Sequence, residues 1–77
     1  MALITDYHVL SAFEFEMSLS YDKFIAKEQE IVSWLVENFG YDEDNGLWDM
    51  WEWPSRNVVY FTFVREEDAA AFKLAWS

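Results

Sequence analysis

Residues 7–17 read YHVLSAFEFEM, and the topology of the chain depends on how this stretch is taken. The odd positions are Tyr7, Val9, Ser11, Phe13, Phe15 and Met17, and the even ones His8, Leu10, Ala12, Glu14 and Glu16. Alternation of period two, rich in aromatic and β-branched side chains, predicts a strand, because successive side chains of an extended chain point to opposite faces. The odd face is expected to be the buried one, while the even face grades from apolar at Leu10 to charged at Glu14 and Glu16. Taken as one continuous strand, the stretch opens the fold.

On its C-terminal side, Ser18 or Ser20 can accept from the free amides of a helix start, with Asp22 near the positive end of the helix dipole. A helix over residues 21–39 follows. At 100° per residue Phe24, Ile25, Ile31, Val32, Leu35 and Phe39 fall on one broad stripe, and Gly40 supplies the left-handed residue that ends many helices. Residues 41–46, YDEDNG, form a polar connection whose Asn45-Gly46 pair tolerates positive φ. Residues 47–53, LWDMWEW, predict a second strand, and Pro54-Ser55-Arg56-Asn57 a turn. Residues 58–64, VVYFTFV, are apolar on both faces and predict a central third strand. Glu66, Glu67 and Asp68 then open an alanine-rich helix that runs to the end.

The order β-α-β-β-α, with a right-handed crossover between parallel first and second strands, predicts a single α+β domain over residues 1–77. Both helices would cover one face of a small, mostly antiparallel sheet, as in a ferredoxin-like fold without a clear last strand.

Composition narrows the function classes. The 77 residues carry 15 Asp or Glu against 5 Lys or Arg, a net charge of −10, together with five Trp, four Tyr and seven Phe. An apolar content of 53% excludes intrinsic disorder. With no Cys and one His, neither a disulfide framework nor a zinc cluster is available, and no cofactor is expected. Apolar runs are short, and the start MALITDYH has an early Asp and no basic residue, so neither a membrane span nor a signal peptide is expected and a cytoplasmic location is. Nucleic-acid binding rests on Lys and Arg neutralising phosphates, so the net charge repels DNA and RNA and draws basic proteins inward.

Two resemblances are carried by particular residues. Tyr60-Phe61-Thr62-Phe63-Val64 followed by Glu67-Asp68-Ala69 is similar to the third strand and second helix of RNA-recognition domains. That family opens the strand with a basic-Gly-aromatic-Gly pattern, whereas this chain has Arg56-Asn57-Val58-Val59 and lacks both glycines and the stacking aromatic. The resemblance therefore implies fold rather than RNA binding. Trp34 with Phe39-Gly40, the Trp-rich 48–53 segment, Phe61-Thr62-Phe63 and the closing EDAAAFKLAW of residues 67–76 resemble small uncharacterised proteins of tailed bacteriophages. This second resemblance implies a viral origin and a non-enzymatic role.

Candidate chemistry is sparse. His8 has no Ser or Thr motif around it, so no nucleophilic catalysis is expected. Asp42-Glu43-Asp44-Asn45-Gly46 resembles the start of a calcium loop, but counting from Asp42 puts Gly46 at five and Trp53 at twelve, where Gly at six and Glu at twelve are required. Glu28 falls in the apolar stripe of the long helix; buried there it would need a partner, and it is the sole support for a small-ligand role. Trp34 falls roughly 120° from the centre of that stripe and is a candidate docking anchor.

The uncovered face of the sheet is the larger candidate. If Val59, Phe61 and Phe63 face the helices, Val58, Tyr60 and Val64 face away, joined by Leu10 and either by Trp51 and Trp53 or by Trp48 and Met50. An exposed apolar patch of this kind marks an interaction surface. The expected interaction residues are Glu28, Trp34, Asp42, Glu43, Asp44, Trp51, Trp53 and Tyr60. The expected function is a non-catalytic acidic protein that binds and modulates a host protein with a basic surface. The alternatives are a homodimer or larger scaffold packed through the open sheet face, and a small-ligand module.

Overall fold

The computed structural model describes residues 3–41 and 46–76. Its elements are β1 (Ile4–Ser11), β2 (Glu14–Ser20), α1 (Tyr21–Ala26), α2 (Glu28–Phe39), β3 (Trp48–Trp53), a 3-10 turn (Pro54–Arg56), β4 (Val58–Phe63) and α3 (Glu66–Trp76). The four strands form one sheet in the order β1-β2-β4-β3, every neighbouring pair antiparallel. The fold is α+β, but it is not the β-α-β-β-α arrangement expected: two strands precede the first helix, and no parallel crossover exists in this sheet.

The difference lies at Ala12-Phe13. There the predicted single strand folds back as a hairpin, with Ser11 opposite Glu14, Val9 opposite Phe15 and Tyr7 opposite Met17. Ser11 Oγ accepts the Phe13 amide at 3.2 Å and closes the turn locally. A register shift between Val9 and Ser11 places the extra residue of a β-bulge next to it. A two-residue loop alone would set odd positions opposite even ones; the extra residue of the bulge, Leu10, restores the parity, so Phe15 and Met17 share the face of Val9 and Tyr7, and one strand and a bulged hairpin leave the same alternation in the sequence.

The long helix also differs. It breaks at Lys27, whose φ of −128° and ψ of 17° separate α1 from α2, and whose amide donates to Phe24 O at 3.0 Å. An unbroken helix of residues 21–39 would be about 28 Å long, as long as the largest dimension of the molecule, 28 Å. The break instead lets the chain wrap, so that Phe24 of α1 and Ile31 and Leu35 of α2 are all fully buried.

The start of α1 is secured from a distance. Ser20 occupies the cap position without a side-chain cap bond, and Ser18 is buried within β2. Asn57 does the capping: its carbonyl oxygen accepts the Tyr21 amide at 3.0 Å and its Oδ1 the Asp22 amide at 3.0 Å. Asn57 can do this because it closes the β3–β4 turn in the left-handed conformation, φ 54°, which Asn tolerates better than most residues. At the far end of α2, Gly40 takes φ 80° as expected, and its carbonyl accepts the buried Trp48 indole N–H at 2.8 Å.

All three helices lie on one face of the sheet. Phe61 and Phe63 of β4 meet Phe24 of α1, Phe39 of α2 and Phe72 of α3 at ring-centroid distances of 4.9 to 5.9 Å. Phe15, Met17 and Leu19 of β2 and Val59 of β4 complete this layer, so most of the aromatic surplus is core. Arg65 Nε donates to the buried Asp68 carboxylate at 2.9 Å in the first turn of α3, and the Leu3 amide donates to Trp76 O at 3.1 Å, tying the two ends of the fold together.

Candidate functional site

Cross-strand partners share a face of a sheet, which settles the alternatives at β3. Trp48 and Met50 pair with Phe63 and Phe61 and face the helices; Trp51 and Trp53 pair with Tyr60 and Val58 and stand on the open face. Trp51 is 72% exposed and Trp53 41%.

The open face is ordered in rows. One row runs His8, Glu16, Thr62, Asp49 across β1, β2, β4 and β3, and the next runs Asp6, Ser18, Tyr60, Trp51. Thr62 is the short side chain of its row, and around it opens a hollow of about 330 Å³ walled by Glu14, Glu16, Asp49, Trp51 and Tyr60. A second depression shares Glu14, Asp49 and Thr62 and leads to Phe13 at the hairpin tip and to Val64. Phe13 is 75% exposed, and Val9 and Leu10 beside it are also open. The result is a continuous acidic and aromatic surface from the tip to Trp51.

Among the described residues, no Lys or Arg lines the hollow. Lys27 pairs with Glu30, Arg65 with Asp68 and Glu67, and Lys73 lies over the Tyr7 ring. Arg56 stacks on Trp53, its guanidinium carbon 4.6 Å from the ring centroid. Among the described residues, Glu14, Glu16 and Asp49 form no ion pair. His8, opposite Glu16, turns its Nε2 to Asp6 at 3.3 Å instead. Asp49 Oδ1 accepts the Met50 amide at 2.8 Å, which holds this carboxylate at the rim.

The other expected residues are placed differently. Trp34 is half-buried, its ring edge-on to Phe39, Phe72 and Trp76 at 5.5, 5.9 and 6.5 Å, so it knits α2 to α3 instead of standing free as an anchor. The helical wheel of a single helix set it aside because α3 packs on a second flank of α2. Glu28 is exposed in the first turn of α2, where it borders a shallow groove with Ile25, Gln29, Val32 and Ser33. No buried carboxylate forms there, which removes the support for a small-ligand role. Asp42, Glu43 and Asp44 lie outside the described residues. Glu14, Glu16 and Asp49 were not singled out as site residues from the sequence, because their proximity depends on the β2–β4 pairing.

Among the described residues, no group of three His, Asp or Glu side chains is arranged to hold a metal ion, and no helix is long and apolar enough to cross a membrane. In comparisons with known proteins the chain matches no family model, no curated protein and no solved structure.

Proposed function

We propose that the protein is a small non-catalytic module of phage type that binds a host protein carrying a basic surface, through the acidic and aromatic open face of its sheet. The observation that carries this reading is the gathering of exposed Trp51 with Glu14, Glu16 and Asp49 around one hollow, three carboxylates that form no ion pair among the described residues. Exposed Trp and Tyr provide the desolvated anchors typical of protein interfaces, and unpaired charge provides long-range attraction. A net charge of −10 favours a basic protein and disfavours nucleic acid. Homodimerisation through the same face is the weaker reading, since it would set the carboxylates of one copy against those of the other.

The test is capture from bacterial lysate by the tagged full chain at rising salt, repeated with the triple variant E14Q/E16Q/D49N and with E30Q/E37Q on α2 as a control. The expected partner has a basic surface, is released as salt rises, is lost with the triple variant and is retained by the control. A partner held equally by the triple variant and at high salt overturns the reading.

A further inference from the structure

We propose that the hollow over Thr62 is the seat of an arginine side chain presented by the partner, its guanidinium lying against Trp51 and Tyr60 and reaching Glu16 and Asp49. This rests on the reading of the open face as the docking surface and names what that surface recognises.

The register dictates the geometry. Neighbouring strands lie about 4.8 Å apart, so Glu16 and Asp49, on either side of β4 in the row of Thr62, have backbones roughly 10 Å apart. Two carboxylates at that spacing flank a planar group lying above Thr62. Tyr60 and Trp51, side by side in the next row, supply aromatic surface at its edge. A guanidinium matches both demands, because it stacks on rings and carries five N–H donors in a rigid fork, whereas an ammonium is a compact, strongly hydrated point charge.

The same face already contains an example of this chemistry. Trp51 and Trp53 are alternate residues of β3 and stand on one side of the sheet. Trp53 is covered by the chain's own Arg56, while Trp51, flanked by Asp49 and near Glu16, carries no cation. Glu14 and Glu16 on β2 and Asp49 on β3 face one another across β4, so the free protein gathers negative charge around the hollow that an incoming guanidinium neutralises. A purely apolar partner would have to desolvate the three carboxylates without compensation.

The experiment compares binding of two capped tetrapeptide amides, tetra-arginine and tetra-lysine, to the full chain, read by indole fluorescence and by the Trp51 Nε1–H resonance. Tetra-arginine is expected to bind about tenfold more tightly and to shift the Trp51 resonance. Trp51→Ala, whose fold is checked by circular dichroism, is expected to reduce tetra-arginine to the level of tetra-lysine. E16Q/D49N is expected to weaken both peptides. Equal affinities for the two peptides, an arginine preference unchanged in Trp51→Ala, or no binding of either peptide overturns the arginine assignment. In those cases the basic-partner reading stands or falls separately on whether the captured partner is lost with E14Q/E16Q/D49N.

Discussion

The two faces of the sheet are built on the same strands and differ in nearly every other respect. On the covered face, Phe61 and Phe63 are surrounded by rings from three helices and are inaccessible to water. On the open face, one residue along, Tyr60 and Thr62 adjoin carboxylates and an exposed Trp. Alternation along β4 thus divides the aromatic content of the chain between a packed layer and an exposed one. Stability should therefore be sensitive on one face and indifferent on the other.

Phe72→Ala gives the largest expected effect. Phe72 is fully buried and meets Phe61, Phe63 and Trp34, so its truncation should cost about 3–5 kcal/mol in urea denaturation. Trp51→Ala on the opposite face should stay within about 0.5 kcal/mol of wild type. Comparable losses from both would mean that the open face is structural, and the division would fail.

Asn57→Ala tests how the covering layer is attached. It removes the bond to the Asp22 amide and places a Cβ-bearing residue poorly suited to φ 54° in the turn, for an expected loss of about 1–2 kcal/mol. Asn57→Gly keeps the conformation and loses only the side-chain bond, so its loss, by the same denaturation measurement, should be smaller. Equal losses would assign the whole effect to the cap.

E14Q/E16Q/D49N should do the reverse of a core mutation. Relief of the repulsion among these carboxylates, which face one another across β4 at roughly 10 Å, is expected to raise stability by about 0.5 kcal/mol at low ionic strength, with the gain shrinking as salt is added. A salt-independent loss would show that these carboxylates hold the sheet together.

The smallest effect concerns pH. The Asp22 carboxyl is held below its ordinary value of 3.8 by the Ser20 hydroxyl first, then by the Lys23 amide, which donates to its Oδ1 at 2.8 Å, and by Asn57. Because the folded value is the lower one, this contribution is fully present above the ordinary value and is lost as pH falls through and below it. Asp22→Asn should lower stability slightly at neutral pH, where the contribution is present, and converge on wild type as pH falls, which flattens the acid limb of the stability curve.

How much of this was legible in the sequence follows from the range of each signal. The apolar run of β4, the Pro-led turn, the Trp-rich β3 and the acidic start of α3 are local patterns, and each element lies within a residue or two of its expected place. The hairpin was not legible, since Ser11-Ala12-Phe13 contains no Gly, Pro, Asn or Asp and the bulge beside its two-residue loop preserves the alternation. Lys27 has no breaker chemistry, and the helix breaks there because of packing against the sheet. Asn57 caps a helix 35 residues away, a distance at which no spacing rule applies. For the site, Trp51, Trp53 and Tyr60 could be named from strand parity, while Glu14, Glu16 and Asp49 come together only through the antiparallel β2–β4–β3 pairing.

The bond between the Leu3 amide and the Trp76 carbonyl makes the chain almost a ring. The start of β1 and the end of α3 meet at one corner, so a linker of a few residues would join them with both elements in place. Reopened at the exposed Ala12-Phe13 tip, such a circular permutant would begin with β2 and end with β1. The hairpin that distinguishes this topology would then become a pairing between the two ends of the chain, and β1 could be supplied as a separate peptide.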